Sequence, residues 1–161
     1  MTDRTEHTYM DRSAFEKGEW DNEPDFVYWT DPYTQYKCLI RRSIVGVLCG
    51  YVGVEKRHPC YGMDYLSVPV EMHGGITFSD HIDGYPIDGY PIGDKLMNWA
   101  IEWGKENSKT WWIGFDCCHY GDLMPLKEGY IEASIPKLIT YKNINFVTKE
   151  VESLARQLKN M

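Results

Sequence analysis

The sequence predicts a single α+β domain, an antiparallel sheet packed by a C-terminal amphipathic helix and by a shorter helix near 95–104. Three observations predict it. Residues 36–56, YKCLIRRSIVGVLCGYVGVEK, are dense in β-branched and aromatic side chains and broken by glycine, as hairpin strands are. Residues 111–117, WWIGFDC, form another such run. At the far end Ile144, Val147, Val151, Leu154, Ala155 and Leu158 recur at three- and four-residue intervals, which gives one apolar helical face.

Along the chain, residues 1–30 read as an acidic N-terminal arm and 31–161 as the domain. Residues 1–36 hold nine Asp or Glu against three Lys or Arg, whereas the remainder is close to neutral. The aromatics Trp20, Phe26, Tyr28, Trp29, Tyr33 and Tyr36 predict that the second half of this segment packs on the body. Strands are expected over Lys37–Arg42 and Val45–Val54, with a tight turn near Ser43. Another is expected over 68–78, interrupted at Gly74–Gly75, and a last one over 110–117. Between them IDGYP occurs twice in succession, at 82–86 and 87–91, which is too short a unit for a solenoid and reads as a turn-rich loop. The 95–104 helix takes Asp94 as N-cap and Gly104 as stop, and Asn143 is expected to cap the last helix.

A chain of 161 residues buries a core without metal or disulfide staples. Its net charge of −7 argues against extended nucleic acid as a partner. No apolar run reaches membrane-spanning length and the N-terminus has no signal-peptide core, so a soluble cytoplasmic protein is expected. Five cysteines without a CxxC pair fit reduced thiols. The glycine signatures of the common nucleotide-binding loops and of α/β-hydrolases are absent.

Three stretches join glycine to chemistry-bearing side chains: KRHPCYG, EMHGGITF and GFDCCHYGD. The expected ligand site comprises His58, Tyr61, His73, Gly74, Gly75, Thr77, Asp116, His119 and Asp122. Three chemistries remain open. His73, Asp116, His119 and Asp122 are nitrogen and oxygen donors of the kind zinc or manganese accepts, although no diagnostic metal spacing occurs and no cofactor is expected outright. Cys117 or Cys118 could act as a thiolate beside a histidine, although adjacent strand residues are more simply one core and one exposed thiol. The third is a pocket for a flat ring, stacked on Trp111, Trp112, Phe115, Tyr51, Tyr61 or Phe78. There the Gly74–Gly75 amides would cradle an anion and Lys56 or Arg57 would meet a phosphate.

The ordered motifs LCGYVGVEKRHPCYG, MHGGITF and WWIGFDCCHYGD, closed by the amphipathic helix, resemble a family of short proteins encoded by phages, prophages and plasmids. The likeness covers about residues 38–122 and the last helix. Cys118 and Tyr120 stand where that family more often has small residues. By analogy of genomic setting, the resemblance implies an anti-defence accessory protein in the host cytoplasm. Its leading expected function is sequestering a nucleotide-derived immune signal, cyclic or ADP-ribose-type. One alternative is a hydrolase or phosphodiesterase that cleaves such a ligand with His73, Asp116, His119 and Asp122 as catalytic residues. Another is a protein-binding inhibitor acting through the acidic arm. Homo-oligomerisation stays open.

Overall fold

The structure is a computed structural model and describes residues 4–82, 87, 93–127 and 139–161. Among the described residues six strands form one antiparallel sheet: β1 (Thr5–His7), β2 (Phe26–Thr30), β3 (Lys37–Arg42), β4 (Leu48–Val54), β5 (Phe78–Asp80) and β6 (Trp111–Asp116). Their order across the sheet is β1-β2-β3-β4-β6-β5. Helix α1 (Asp94–Glu106) covers one face and α2 (Ile144–Lys159) the other. No helix among the described residues is long and apolar enough to cross a membrane.

The expected α+β class is the observed one, and α2 shows why. Val147, Val151, Leu154, Ala155 and Leu158 are all fully buried against Ile40, Leu48, Val52, Ile113 and Phe115 of the sheet. Burying an aliphatic side chain of this size is worth about 1.5–3 kcal/mol, so this one helical face is a main source of the fold's cohesion. Close approach at its centre depends on Gly50, where a Cβ would lie 2.6 Å from both Val151 Cγ2 and Phe115 Cζ. The Asn143 side chain accepts from Phe146 N–H at 2.9 Å, the cap its position predicts. On the other face Trp103 of α1 stacks on Trp112 of β6 at 5.6 Å, beside Phe26, Leu39 and Tyr51.

Four expectations need correction. Helix α1 begins at Asp94 with Gly93 as its N-cap, and it runs through Gly104 to Glu106, because Gly104 is buried within the helix. Strand β4 starts at Leu48 because residues 43–47 are spent on a closed turn, with Ser43 N–H donating to Val47 O. Of the strand foreseen over 68–78 only Phe78 lies in a sheet strand, as the first residue of β5. Val68, Val70 and Met72 do alternate into the core, but Pro69 has no N–H to give a ladder. Glu71 instead pairs its backbone N–H and C=O with the Gln157 side chain of α2.

The fourth concerns the N-terminal segment. Residues 5–7 and 26–30 are the first two strands of the sheet, with Phe26 and Val27 fully buried. The acids beside them are internal partners. Asp25 accepts hydrogen bonds from the amides of Tyr9 and Met10, from Arg12 Nη2 at 2.6 Å and from Arg42 Nε at 2.9 Å. The IDGYP duplication falls mainly outside the described residues; its Ile82 and Ile87 are described and buried.

Candidate functional site

Two four-residue turns face each other beyond the Asp116 end of β6. In the first, Gly75 N–H donates to Met72 O at 3.0 Å, with His73 and Gly74 in the middle and Gly74 at φ +66°. In the second, Asp122 N–H donates to His119 O at 2.9 Å, with Gly121 at φ +92°. A positive φ at the third position of such a turn is what glycine supplies without strain. His73 and His119 are thereby brought side by side, their ring centroids 5.7 Å apart.

Each imidazole has its own carboxylate. His73 Nε2 lies 2.8 Å and 3.0 Å from the two oxygens of Asp122. Asp122 is almost wholly enclosed and also accepts His119 N–H at 3.1 Å and Lys142 Nζ at 3.1 Å. Burial works to raise the Asp122 carboxyl. The hydrogen bonds from His73, the His119 amide and Lys142 outweigh it and hold the group below the usual carboxylate range. His119 Nε2 lies 3.1 Å from Asp116 Oδ1, but no acceptor among the described residues sits along its N–H direction. The contact is therefore a close approach and not a directed hydrogen bond. Asp116 Oδ1 also accepts Cys118 N–H at 2.9 Å.

The remaining walls come from α2 and from Gly74. The Phe146 ring meets His73 edge-on at 5.3 Å, and Glu150 Oε2 accepts His73 N–H at 3.3 Å. A Cβ on Gly74 would lie 2.2 Å from His119 Cδ2 and Nε2, so the bare Cα is what lets the imidazole lie against it. At Gly75 such a Cβ would meet nothing within 4 Å.

Of the expected site, the structure brings together His73, Gly74, Gly75, Asp116, His119 and Asp122. His58 and Tyr61 stand apart, and Thr77 is engaged with β6. In the β4–β6 register Cys49 pairs with Asp116 and Val54 with Trp111, so the loop after β4 leaves the sheet about 17 Å from Asp116 at 3.4 Å per residue. His58 there accepts Cys60 N–H on Nδ1 and approaches Leu158 O with Nε2 at 2.7 Å, which satisfies the last turn of α2. Tyr61 donates to Lys109 O and packs beside His81 and Trp111. Exposed Lys56 and Arg57 lie in the same loop. Thr77 contributes its amide to Gly114 O.

Trp112, Phe115 and Tyr51 are buried core residues and present no stacking face. The Gly75 amide is consumed by its own turn, so it does not cradle an anion. Cys117 is buried and Cys118 exposed, and burial followed by nearby acids pushes both thiols up, away from thiolate character. No group of three or more His, Cys, Asp or Glu among the described residues is arranged to hold a metal ion. Asp122 turns to His73 and Lys142 while Asp116 turns to His119, so the four expected donors do not share one ligand sphere.

Sequence reasoning missed Lys142, Phe146 and Glu150. The signal for Lys142 was its place just before the Asn143 cap, where the positive end of a helix disfavours a cation without a carboxylate partner. No family model, curated protein or solved structure matches the chain.

Proposed function

We propose that the chain is a hydrolase acting on a small, nucleotide-derived phosphoester, with His73 and His119 as its acid–base pair. The observation that carries this reading is the pairing itself: two part-exposed imidazoles in ring contact, each approached by a separate carboxylate. Asp122 takes the Nε2–H of His73 and leaves the Nδ1 lone pair as a base. That base removes a proton from water as the water oxygen bonds to phosphorus. His119, charged against Asp116, returns a proton to the leaving oxygen as the P–O bond breaks.

The sequestering alternative has less support because three of the site's donors are already engaged. His73 Nε2 and Lys142 Nζ are spent on Asp122, and the Gly75 amide on Met72 O. An inhibitor acting through the acidic arm is weaker still, since Glu23 and Asp25 are paired internally with Arg42 and Arg12.

The phage-type setting and the choice of nucleotide are part of the same proposal. It is tested by incubating the protein with cyclic mono- and dinucleotides and ADP-ribose derivatives, followed by mass spectrometry before and after heating. Altered ligand with wild type, and none with His73→Gln, is the expected result. Intact ligand recovered only on heating identifies a sequestering protein and overturns the hydrolase.

A further inference from the structure

We propose that Lys142 is a positioning residue for the His73–Asp122 pair, fixed in place by a buried anchor built from Tyr141, Glu23 and Arg42. Its catalytic consequence rests on the acid–base reading above; its geometry does not.

Lys142 is held from both sides. Before it, Thr140 forms a two-bond bridge with the His119–Asp122 turn: Thr140 N–H donates to Gly121 O and Leu123 N–H to Thr140 O, both at 2.9 Å. That bridge sets the Lys142 ammonium 3.1 Å from Asp122 Oδ1. The Thr140 carbonyl and hydroxyl accept from the same ammonium. After it, Glu23 Oε2 accepts Ile144 N–H at 2.7 Å and so caps the first turn of α2.

Tyr141 is the pin. Its hydroxyl donates to Glu23 Oε1 and accepts from Arg42 Nη1 at 2.8 Å, while Trp20 packs edge-on against its ring at 4.9 Å. Arg42 is itself immobilised by Asp25, Gly46 O and Pro24 O, and its side chain is fully buried. A lysine ahead of a helix N-terminus would ordinarily be repelled into solvent. Here Asp122 and Thr140 take up its ammonium.

Among the described residues, the groups facing His73 are Asp122, His119, Glu150 and the Phe146 ring, with Lys142 and Asp116 one contact further out. Among these Lys142 is the fixed cation on the carboxylate that orients His73. It keeps Asp122 ionised, so that Asp122 accepts from His73 and never competes for the proton His73 must carry. The N-terminal segment that supplies Glu23 thereby acts on the site without touching it.

The test is ¹³C NMR titration of the Asp122 carboxyl in the intact protein without ligand, with Asp122 assigned by its own substitution. Lys142→Met, similar in length and apolar, is expected to move the Asp122 midpoint upward, and Lys142→Arg to restore it. Lys142→Gln, which keeps a donor and loses the charge, gives the same upward shift and serves if the Met variant does not fold. Tyr141→Phe is expected to shift the midpoint the same way by less. An unmoved midpoint in a folded, uncharged Lys142 variant overturns the positioning role, and an unmoved midpoint in folded Tyr141→Phe overturns the anchor. Absence of turnover in the wild type would instead overturn the hydrolase reading and leave this titration interpretable.

Discussion

The imidazole of His119 occupies the space that a side chain at Gly74 would need, with Cδ2 and Nε2 each 2.2 Å from the position of the missing Cβ. That contact joins the two turns. Gly74→Ala must displace the ring and also strain a φ of +66°, whereas Gly75→Ala faces open space and strains only its φ of +80°. Thermal melts are expected to show a cost of about 1 kcal/mol for Gly75→Ala and more for Gly74→Ala. Turnover, once a substrate is in hand, is expected to collapse only in Gly74→Ala.

Removing either member of the enclosed pair tests the chemistry. His73→Gln and Asp122→Asn are each expected to slow turnover by about 10²–10⁴-fold with little change in substrate affinity. Their effects should not multiply in the double variant, because the two groups act as one unit.

The thiols make a contrasting case. Cys38, Cys60 and Cys117 are buried and Cys49 is partly covered, which leaves Cys118 as the one exposed thiol of the five. Titration with a thiol reagent is expected to give one accessible cysteine in the native protein and five in denaturant. Burial, then Asp116 and Asp122, raise the Cys118 thiol, so that site should react more slowly than a free thiol at the same pH. Cys118→Ser is expected to leave turnover intact.

Acid stability follows from Asp25 and Asp122. Burial favours the neutral form of each. At Asp25 the hydrogen bonds from Arg12 and from the Met10 and Tyr9 amides win, and at Asp122 those from His73, His119 N–H and Lys142 do, so both groups lie below the ordinary value. A lowered folded-state value means stability is complete above the unfolded value, about 3.9, and is lost as pH falls through the folded values. Urea midpoints are expected to hold down to about pH 4 and drop below it, with a shallower drop in Asp122→Asn. Arg42→Met removes one of the two guanidinium partners of a fully buried Asp25, with Arg12 remaining, and is expected to lower stability at neutral pH by about 3 kcal/mol.

The parts of this molecule readable from sequence are those with a period or a local composition. Helix α2 announced itself through spacing, and strands β3 at Lys37–Arg42 and β6 through their density of β-branched and aromatic residues. The strand expected over 68–78 fell short because an extended segment with one buried side can lie along a helix as well as pair with a strand, as Val68–Met72 does beside α2. Strands β1 and β2 were hidden by their acids, whose arginine partners stand 13 and 17 residues from Asp25. The site shows the same division. His73 before Gly74 and His119 two residues before Gly121 signalled themselves locally, but the Lys142–Asp122 contact joins residues 20 apart, and no spacing rule reaches that far.

Convergence of the two turns is most directly measured by nuclear Overhauser contacts between imidazole rings, with both histidines assigned by substitution. Rings with centroids 5.7 Å apart are expected to give cross-peaks between the carbon-bound protons of His73 and His119, and Gly74→Ala should abolish them. Absence of those cross-peaks in the folded wild-type protein would contradict a shared site, and with it the function built on the pair.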